Sequence, residues 1–450
     1  MKNELVNSLN SISPIDGRYR NQIQKLSRYF SEKALIHYRL VVEIEYFISL
    51  VEIPLPQLEN FPIKKIKKLK TIYEKFTDED ATEVKKIEIK TNHDVKAIEY
   101  FLKNKFDLIG LSKFKEFIHF GLTSQDINNT SIPLSIKNAI KEEYLPNLNK
   151  VLSNLKKLSN ESKNIPMLAR THGQPASPTK LGKEIKVFIE RLENQIKVLN
   201  SIPNAAKFAG ATGNYNAHVV SYPKINWKKF SSTFLKTKFG LKHSFPTTQI
   251  EHYDYFSSQC DTLRRINNIL IDMCRDFWHY ISMDYFKQKI MRNEVGSSAM
   301  PHKINPIDFE NAEGNLGIAN ALFIHLSQKL PISRLQRDLT DSTTLRNIGV
   351  PFAHTILAFK SLNKGLSKLF INKDKILKDL EDNWSVVAEG IQTILRREGY
   401  DGAYEELKNI TRKNKKINQT IIYDFIDSLD ISLKIKNDLK KITPFNYVGI

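Results

Sequence analysis

The chain has 450 residues, of which 41% are hydrophobic and 26% are charged, and it carries a formal net charge of +19. This length predicts about two to four domains with a large core, and no segment is long and apolar enough to cross a bilayer. The two cysteines lie far apart and outside any CxxC pair, which argues against a disulfide framework or a zinc site.

Helical periodicity dominates the chain in sequence order. Between residues 31 and 51 apolar side chains recur every three or four positions with charged residues between them, which predicts an amphipathic helix. Residues 247–295 contain no Gly or Pro, and as a single helix they would reach about 70 Å at ~1.5 Å per residue. Further stretches poor in Gly and Pro are residues 135–144, 147–165, 179–202 and 404–442. Strand signals are few, so we predict an all-α bundle of long helices.

Segments with unusual polar residues separate these helices, which predicts a site built from loops and helix ends. In chain order they are SPIDGRY at residues 13–19, TNHDVK at 91–96, HFGLTSQDIN at 119–128, RTHGQPASPTK at 170–180, GSSAMPHKINP at 296–306 and RDLTDS at 337–342. The segment at 296–306 offers serines, a lysine and loop amides, which could supply a base together with donors and positive charge for an anion. A helix that follows Pro306 would point its positive end toward this loop, which also favours an anionic group.

These segments, in this order, resemble the motifs of the adenylosuccinate lyases in the aspartase/fumarase superfamily. The resemblance implies a homotetramer with an all-α, three-domain aspartase/fumarase-like fold, a shared central bundle of long helices, and active sites composed from several subunits. The implied domains are an N-terminal helical domain at residues 1–121, the long-helix bundle at 122–362 and a C-terminal helical domain at 363–450. The implied reactions release fumarate from adenylosuccinate and from succinyl-aminoimidazole-carboxamide ribotide, without a cofactor or a metal ion.

The resemblance also implies catalytic roles. Ser297 would be the general base, with its alkoxide favoured by Lys303 and by the amides of the Gly-Ser-Ser turn. His172 would be the general acid that protonates the departing purine N6. His93 would orient the substrate or contact its phosphate, and the alternative is a surface helix cap. Lys303 and Asn305 would hold the succinyl carboxylates.

Among the implied substrate-binding residues, the phosphate and ribose group comprises Arg18, Tyr19, Arg337, Ser342 and Arg346. The succinyl carboxylates would be bound by Thr123, Ser124 and Asn305, and Gln249 would hold the succinyl or base portion. The supporting residues are Asn92 and Asp94. Thr123 or Ser124 could also serve as a helix cap. Two positions depart from the family pattern: Gln125 stands where relatives commonly have Glu, and Asn311 where some have Arg.

Other functions make different demands on the residues. An argininosuccinate lyase of the same superfamily is the nearest alternative, but it has no use for a phosphate contact from Arg18. A nucleic-acid-binding module needs an organised basic face, whereas the Lys and Arg residues here are scattered; we interpret them as a solvated surface that helps to attract a polyanionic small substrate. A non-catalytic relative is expected to lack one of Ser297, His172 or Lys303. We therefore expect a cytoplasmic enzyme with a nucleotide substrate and no nucleic-acid or membrane partner.

Overall fold

The computed structural model describes residues 9–289, 300, 303–411 and 417–450, and it is 68% helical. The helices of the first half are α1 (Arg20–Ile23), α2 (Ser27–Phe30), α3 (Glu32–Val51), α4 (Ile66–Glu74), α5 (Asp78–Thr91), α6 (Asp94–Leu108), α7 (Ser124–Ala139), α8 (Leu145–Glu161), α9 (Leu181–Ser201), α10 (Asn216–Ser221) and α11 (Trp227–Phe234). Those of the second half are α12 (Asp254–Ser282), α13 (Ile307–Lys329), α14 (Thr340–Leu345), α15 (Gly349–Lys368), α16 (Lys373–Glu381), α17 (Ala388–Arg397), α18 (Ala403–Thr411), α19 (Gln419–Ser428) and α20 (Leu433–Lys440). The strands are β1 (Pro166–Thr171), β2 (Gln174–Lys180), β3 (Ala205–Ala206), β4 (Lys242–His243), β5 (Phe286–Gln288) and β6 (Leu369–Ile371).

The all-α prediction is confirmed, and the apolar pattern at 31–51 forms α3 as expected. Ser31 caps this helix, because its hydroxyl accepts the amide of Ala34 at 3.1 Å, and Glu32 lies in the first turn near the positive end of the helix. A π-helical turn at Ile140–Tyr144 joins α7 directly to α8.

The long uninterrupted stretch at 247–295 is not one helix throughout. Within it α12 has 29 residues, about 44 Å at ~1.5 Å per residue. Asp284, with a φ of 59°, follows the helix, and β5 then pairs antiparallel with β6. The stretch at 179–202 likewise begins in β2 before α9 starts at Leu181. Strand pairing sets both boundaries: β5 pairs with a strand distant in the chain, and β2 pairs with β1 in a hairpin.

The chain divides into two compact units. The first comprises Met1–Leu148, Gln195–Asn268 and Gly314–Lys360, and it contains the short parallel pair β3–β4. One of its cores joins α3, α5 and α6 through apolar side chains between Ile36 and Ile118, including Phe47 and Phe101.

The second unit comprises Asn149–Asn194, Ile269–Glu313 and Ser361–Ile450. It contains the antiparallel pairs β1–β2 and β5–β6. Its C-terminal helices pack on a core of apolar residues between Trp384 and Leu439. In the described part of the chain no helix is long and apolar enough to span a membrane.

Candidate functional site

The first turns of α7 are buried although their side chains are polar. Asp126, Asn129, Thr130 and Ser131 are at most 1% exposed, and Asn128 is 7% exposed. Buried polar groups almost always have hydrogen-bond partners, because an unpaired donor or acceptor in the interior costs free energy. Thr130 and Ser131 donate to carbonyls of α7 itself, whereas Asp126, Asn128 and Asn129 contact other parts of the first unit.

Arg39 on α3 connects α7 to the predicted binding residues. Its Nε donates to Asn128 Oδ1 at 2.8 Å, and its Nη2 donates to Asp94 Oδ2 at 2.7 Å. Arg346 Nη2 lies 3.0 Å from the same Asp94 oxygen, and Arg346 Nη1 lies 3.1 Å from Glu32 Oε2. Two predicted binding residues, Asp94 and Arg346, thus touch although they lie 252 positions apart in the sequence.

A pocket of about 170 Å³ opens beside these ion pairs. Arg39, Arg346, Ser342 and Glu32 are among the residues that line it. Burial acts to raise the pKa of Asp94, but the neighbouring guanidinium groups and a backbone amide outweigh it and hold this pKa below its ordinary value. Guanidinium groups and a hydroxyl can bind an anionic group such as a phosphate, although Asp94 and Glu32 partly neutralise the two guanidinium groups here.

A second set of contacts leads from α7 to the other predicted phosphate residues. Asn129 Nδ2 donates to the hydroxyl of Tyr253 at 2.6 Å, and that hydroxyl donates to Asp341 Oδ2 at 3.2 Å. Burial raises the pKa of Tyr253 well above its ordinary value, so the hydroxyl keeps its proton. Asp341 Oδ1 then accepts Arg337 Nη2 at 3.3 Å, and the same nitrogen donates to Ser342 Oγ at 2.8 Å. Arg337 and Ser342 are therefore held by a buried carboxylate.

A third set of contacts organises the predicted succinyl residues. Thr123 and Ser124 lie at the start of α7, where the Asp126 carboxylate accepts the amide of Thr123 at 2.9 Å. The same carboxylate accepts two backbone amides of residues 207–213, which we call the glycine loop. Gln249 Nε2 donates to a carbonyl of that loop at 3.0 Å. One loop thus contacts both the start of α7, which is predicted to bind the succinyl group, and Gln249, which is predicted to hold the succinyl or base portion.

Asn92 and His93 lie at the junction of α5 and α6. Asn92, with a φ of 49°, ends α5, and His93 caps α6 because its Nδ1 accepts the amide of Lys96 at 3.1 Å. The capping interpretation is confirmed. An imidazole whose Nδ1 accepts a hydrogen bond carries its proton on Nε2 when it is neutral, so the half-exposed ring presents a donor on its other side.

Arg18 and Tyr19 lie on the turn that precedes α1. The turn is closed by hydrogen bonds from the Gly17 amide to the Ser13 carbonyl at 3.0 Å and from the Tyr19 amide to the Pro14 carbonyl at 2.9 Å. The Arg18 guanidinium carbon is 5.9 Å from the centre of the Tyr19 ring. Arg18 is exposed.

In the second unit His172 lies at the tip of the β1–β2 hairpin. Thr171 pairs with Gln174, so His172 and Gly173 form a two-residue loop with φ values of 53° and 76°. Two successive positive φ angles are those of a type I′ turn, which matches the right-handed twist of paired strands. The turn leaves His172 exposed.

Lys303 and Asn305 also lie in the second unit, just before α13. Lys303 is exposed and Asn305 is half-buried, and α13 begins at Ile307 directly after Pro306, as the sequence predicted. Ser297, the predicted general base, lies outside the described residues, as does His302 of the same segment.

Sequence analysis missed the buried groups behind the predicted residues. They are Arg39, Asp126, Lys207, Tyr253 and Asp341, each at most 5% exposed. A charged residue among the apolar positions of an amphipathic helix was the available signal for Arg39. The described residues contain no group of His, Cys, Asp and Glu side chains arranged to hold a metal ion.

Comparison with known proteins identifies the family. A family model described as "Lyase" matches residues 17–319, and one described as "Adenylosuccinate lyase C-terminal" matches residues 333–448. The chain is 59% identical to an adenylosuccinate lyase of Dictyostelium discoideum over 99% of this chain and 97% of that protein. It is 46% identical to the adenylosuccinate lyase of Escherichia coli, again over 99% and 97% of the two chains.

Solved structures share the fold at low sequence identity. A fumarate lyase from Mesorhizobium sp. BNC1 has a TM-score of 0.73 at 16% identity, over 95% of each chain. A 3-carboxy-cis,cis-muconate lactonizing enzyme from Pseudomonas putida has a TM-score of 0.72 at 17% identity, over 95% of this chain and 94% of that one. From the family models and the nearly full-length relatives together, the chain belongs to the adenylosuccinate lyase family.

Proposed function

We propose that this lyase eliminates fumarate from adenylosuccinate to give AMP, and from succinyl-aminoimidazole-carboxamide ribotide to give the carboxamide ribotide. Both substrates carry a phosphate, a ribose and a succinylamine, so one site can serve both. The observation that supports the proposal most directly is the arrangement around α7. That helix connects the predicted phosphate residues Arg337, Ser342 and Arg346 with the predicted succinyl residues at its own first turn.

The first chemical step removes a proton from the succinyl carbon next to one carboxylate. We assign this step to the hydroxyl of Ser297 acting as an alkoxide. The electron pair left on carbon is delocalised into the carboxylate, so the step needs positive charge and donors there. Lys303 and Asn305 at the start of α13, with Thr123 and Ser124 at the start of α7, are the groups that we assign to the carboxylates.

The second step breaks the carbon–nitrogen bond. The electron pair returns from the carboxylate to form the double bond of fumarate, and the nitrogen leaves with the bonding electrons. We assign the proton that this nitrogen needs to His172, since a protonated imidazole is the side chain that most often acts as a general acid in enzymes.

At the nucleotide end we assign Arg18, Tyr19, Arg337, Ser342 and Arg346 to the phosphate and ribose. Guanidinium groups suit this task because they bind phosphate oxygens through two parallel hydrogen bonds. Asp94 is assigned to substrate positioning through Arg346, which it contacts at 3.0 Å. Asn92 and His93 complete this group, and Gln249 is assigned to the succinyl or base portion of the substrate.

We also propose a cytoplasmic homotetramer with composite active sites. The exposed position of His172 on a hairpin tip supports this, because a general acid must be shielded from bulk water by some other surface during the reaction. Long helices carry exposed apolar side chains that a second copy could cover, such as Trp278 and Ile318, which are 41% and 50% exposed.

The three-domain division at residues 1–121, 122–362 and 363–450 is likewise a proposal. Its support is that one hydrophobic core draws its buried residues from Ile36 to Ile118 and another from Trp384 to Leu439. These two cores fall inside the first and the last proposed domains.

An ultraviolet assay with adenylosuccinate tests the proposed activity, with argininosuccinate as the control substrate. We expect turnover of adenylosuccinate alone. Ser297→Ala should bind substrate but lose most turnover, whereas Arg18→Ala should mainly raise KM. Turnover of argininosuccinate, or an equal loss of affinity in both variants, would contradict the assignment.

A further inference from the structure

A lysine and an aspartate form a fully buried ion pair behind the predicted succinyl residues. Lys207 and Asp126 are both 0% exposed, and Lys207 Nζ lies 2.7 Å from Asp126 Oδ1. Lys and Asp side chains are almost never fully buried unless they are paired. None of the proposed catalytic steps uses either side chain, so the pair needs an explanation of its own.

The Asp126 carboxylate joins two segments of backbone. Its Oδ2 accepts the amide of Thr123 at 2.9 Å, on the turn that begins α7. Its Oδ1 accepts the amides of Ala209 and Gly210 at 2.8 and 3.2 Å, within the glycine loop. Lys207 Nζ also donates to the carbonyl of Gly210. The ammonium group therefore joins two positions of the glycine loop and at the same time neutralises the Asp126 carboxylate.

The glycine loop in turn contacts the segment that carries Gln249. The Gln249 side-chain amide donates to the carbonyl of Ala211 at 3.0 Å. A Cβ atom on Gly213 would lie 2.1 Å from the carbonyl oxygen of Thr247, and Gly213 has a φ of 76°. This position therefore requires glycine both for its conformation and for its close approach to the neighbouring backbone.

Stability alone is a weak reason for such a pair. Removing two charges from water costs free energy that their attraction only partly offsets, and well-packed apolar residues of similar size often serve the fold as well or better. Burial lowers the pKa of Lys207 although Asp126 acts to raise it, so the protein interior disfavours the charged form of the lysine. What the ion pair supplies is directed hydrogen bonds to backbone atoms of two segments.

We infer that Lys207 and Asp126 are positioning residues for the succinyl end of the substrate. They fix the start of α7, with Thr123 and Ser124, at a set distance from Gln249 by holding the glycine loop between them. Neither side chain touches the substrate or the reacting atoms. The inference rests on the proposed function, because that proposal assigns Thr123 and Ser124 to the succinyl group and Gln249 to the succinyl or base portion.

The test compares product inhibition by fumarate, which occupies the succinyl end, with inhibition by AMP, which occupies the nucleotide end. Lys207→Met keeps the apolar stem and removes the ammonium group. We expect its inhibition constant for fumarate to rise about tenfold or more, while its inhibition constant for AMP stays within about twofold. The value of kcat/KM for adenylosuccinate should fall by up to about a hundredfold, because a misplacement of roughly 1 Å can cost that much.

Two further variants keep the test decisive. Gly210→Ala strains a residue with a φ of 78° without altering either charge, and it should give the same selective loss for fumarate if Lys207→Met does not fold. Lys105→Met is the control, because it removes a partly buried ion pair in the same unit, in which Lys105 Nζ lies 2.8 Å from Asp80 Oδ1. The ratio of the inhibition constants for fumarate and AMP should be the same in this variant as in the wild type.

The outcomes separate the two proposals. Equal weakening of fumarate and AMP, or no change in either, in a folded Lys207→Met or Gly210→Ala protein would overturn the positioning role. A folded wild-type protein that leaves adenylosuccinate unchanged would overturn the proposed function instead.

Discussion

Removing the hydroxyl of Tyr253 should destabilise the first unit and loosen the nucleotide end of the site. Tyr253→Phe keeps the ring but takes away the acceptor for Asn129 Nδ2 and the donor to Asp341 Oδ2. Asn129 and Asp341 are 1% and 4% exposed, so water does not readily replace the lost partner. A buried polar group without a partner costs about 1–3 kcal/mol, and both groups keep other hydrogen bonds, so we expect a loss of about 2–3 kcal/mol in the free energy of unfolding.

Urea denaturation at fixed protein concentration, followed by circular dichroism, measures this loss. Tyr222→Phe is the matched control, because its hydroxyl makes an exposed hydrogen bond to Gln57 and its removal should cost less than about 0.5 kcal/mol. In the folded variant Asp341 holds Arg337 less firmly, so KM for adenylosuccinate should rise more than kcat falls. Equal stabilities for the two Tyr→Phe variants would refute this account of the network.

Two further predictions concern pH and assembly. His119 Nδ1 lies 2.6 Å from Glu43 Oε1, and although burial lowers the pKa of His119, the carboxylates of Glu43, Glu99 and Asp126 together raise it above its ordinary value. The pair therefore contributes stability that is fully present below the ordinary pKa of about 6.5 and is lost as pH rises through the folded-state pKa. The free energy of unfolding should consequently change more between low and high pH in the wild type than in His119→Gln. If the active sites are composite, mixing Ser297→Ala and His172→Ala subunits should restore part of the activity; no recovery after demonstrated subunit exchange would count against shared sites.

Local sequence pattern predicted the helices whose apolar side chains repeat at helical intervals. The start of α3 could be read from Ser31 followed by Glu32, and the start of α13 from Pro306. The pattern failed at 247–295 because the end of α12 depends on β5 pairing with a strand some eighty residues later in the chain. Absence of Gly and Pro permits a helix but does not require one.

For the candidate site, too, the sequence predicted some features and only the structure revealed the others. The resemblance to a family identified the polar segments as parts of one site. The structure shows which of them contact one another within the first unit, such as Asp94 with Arg346. The structure also reveals the buried residues that hold the predicted site residues in place. Asn129 and Asp341 look like ordinary polar residues in sequence, because their partner Tyr253 is remote from both in the chain. Burial of a polar group is a tertiary property that no local pattern reveals.

The most direct test of the central claim is the stoichiometry of products from adenylosuccinate and the purified protein, measured by chromatography. The proposed elimination predicts AMP and fumarate in equal amounts, with both lost in Ser297→Ala. Unchanged adenylosuccinate, or AMP formed together with a product other than fumarate, would contradict it.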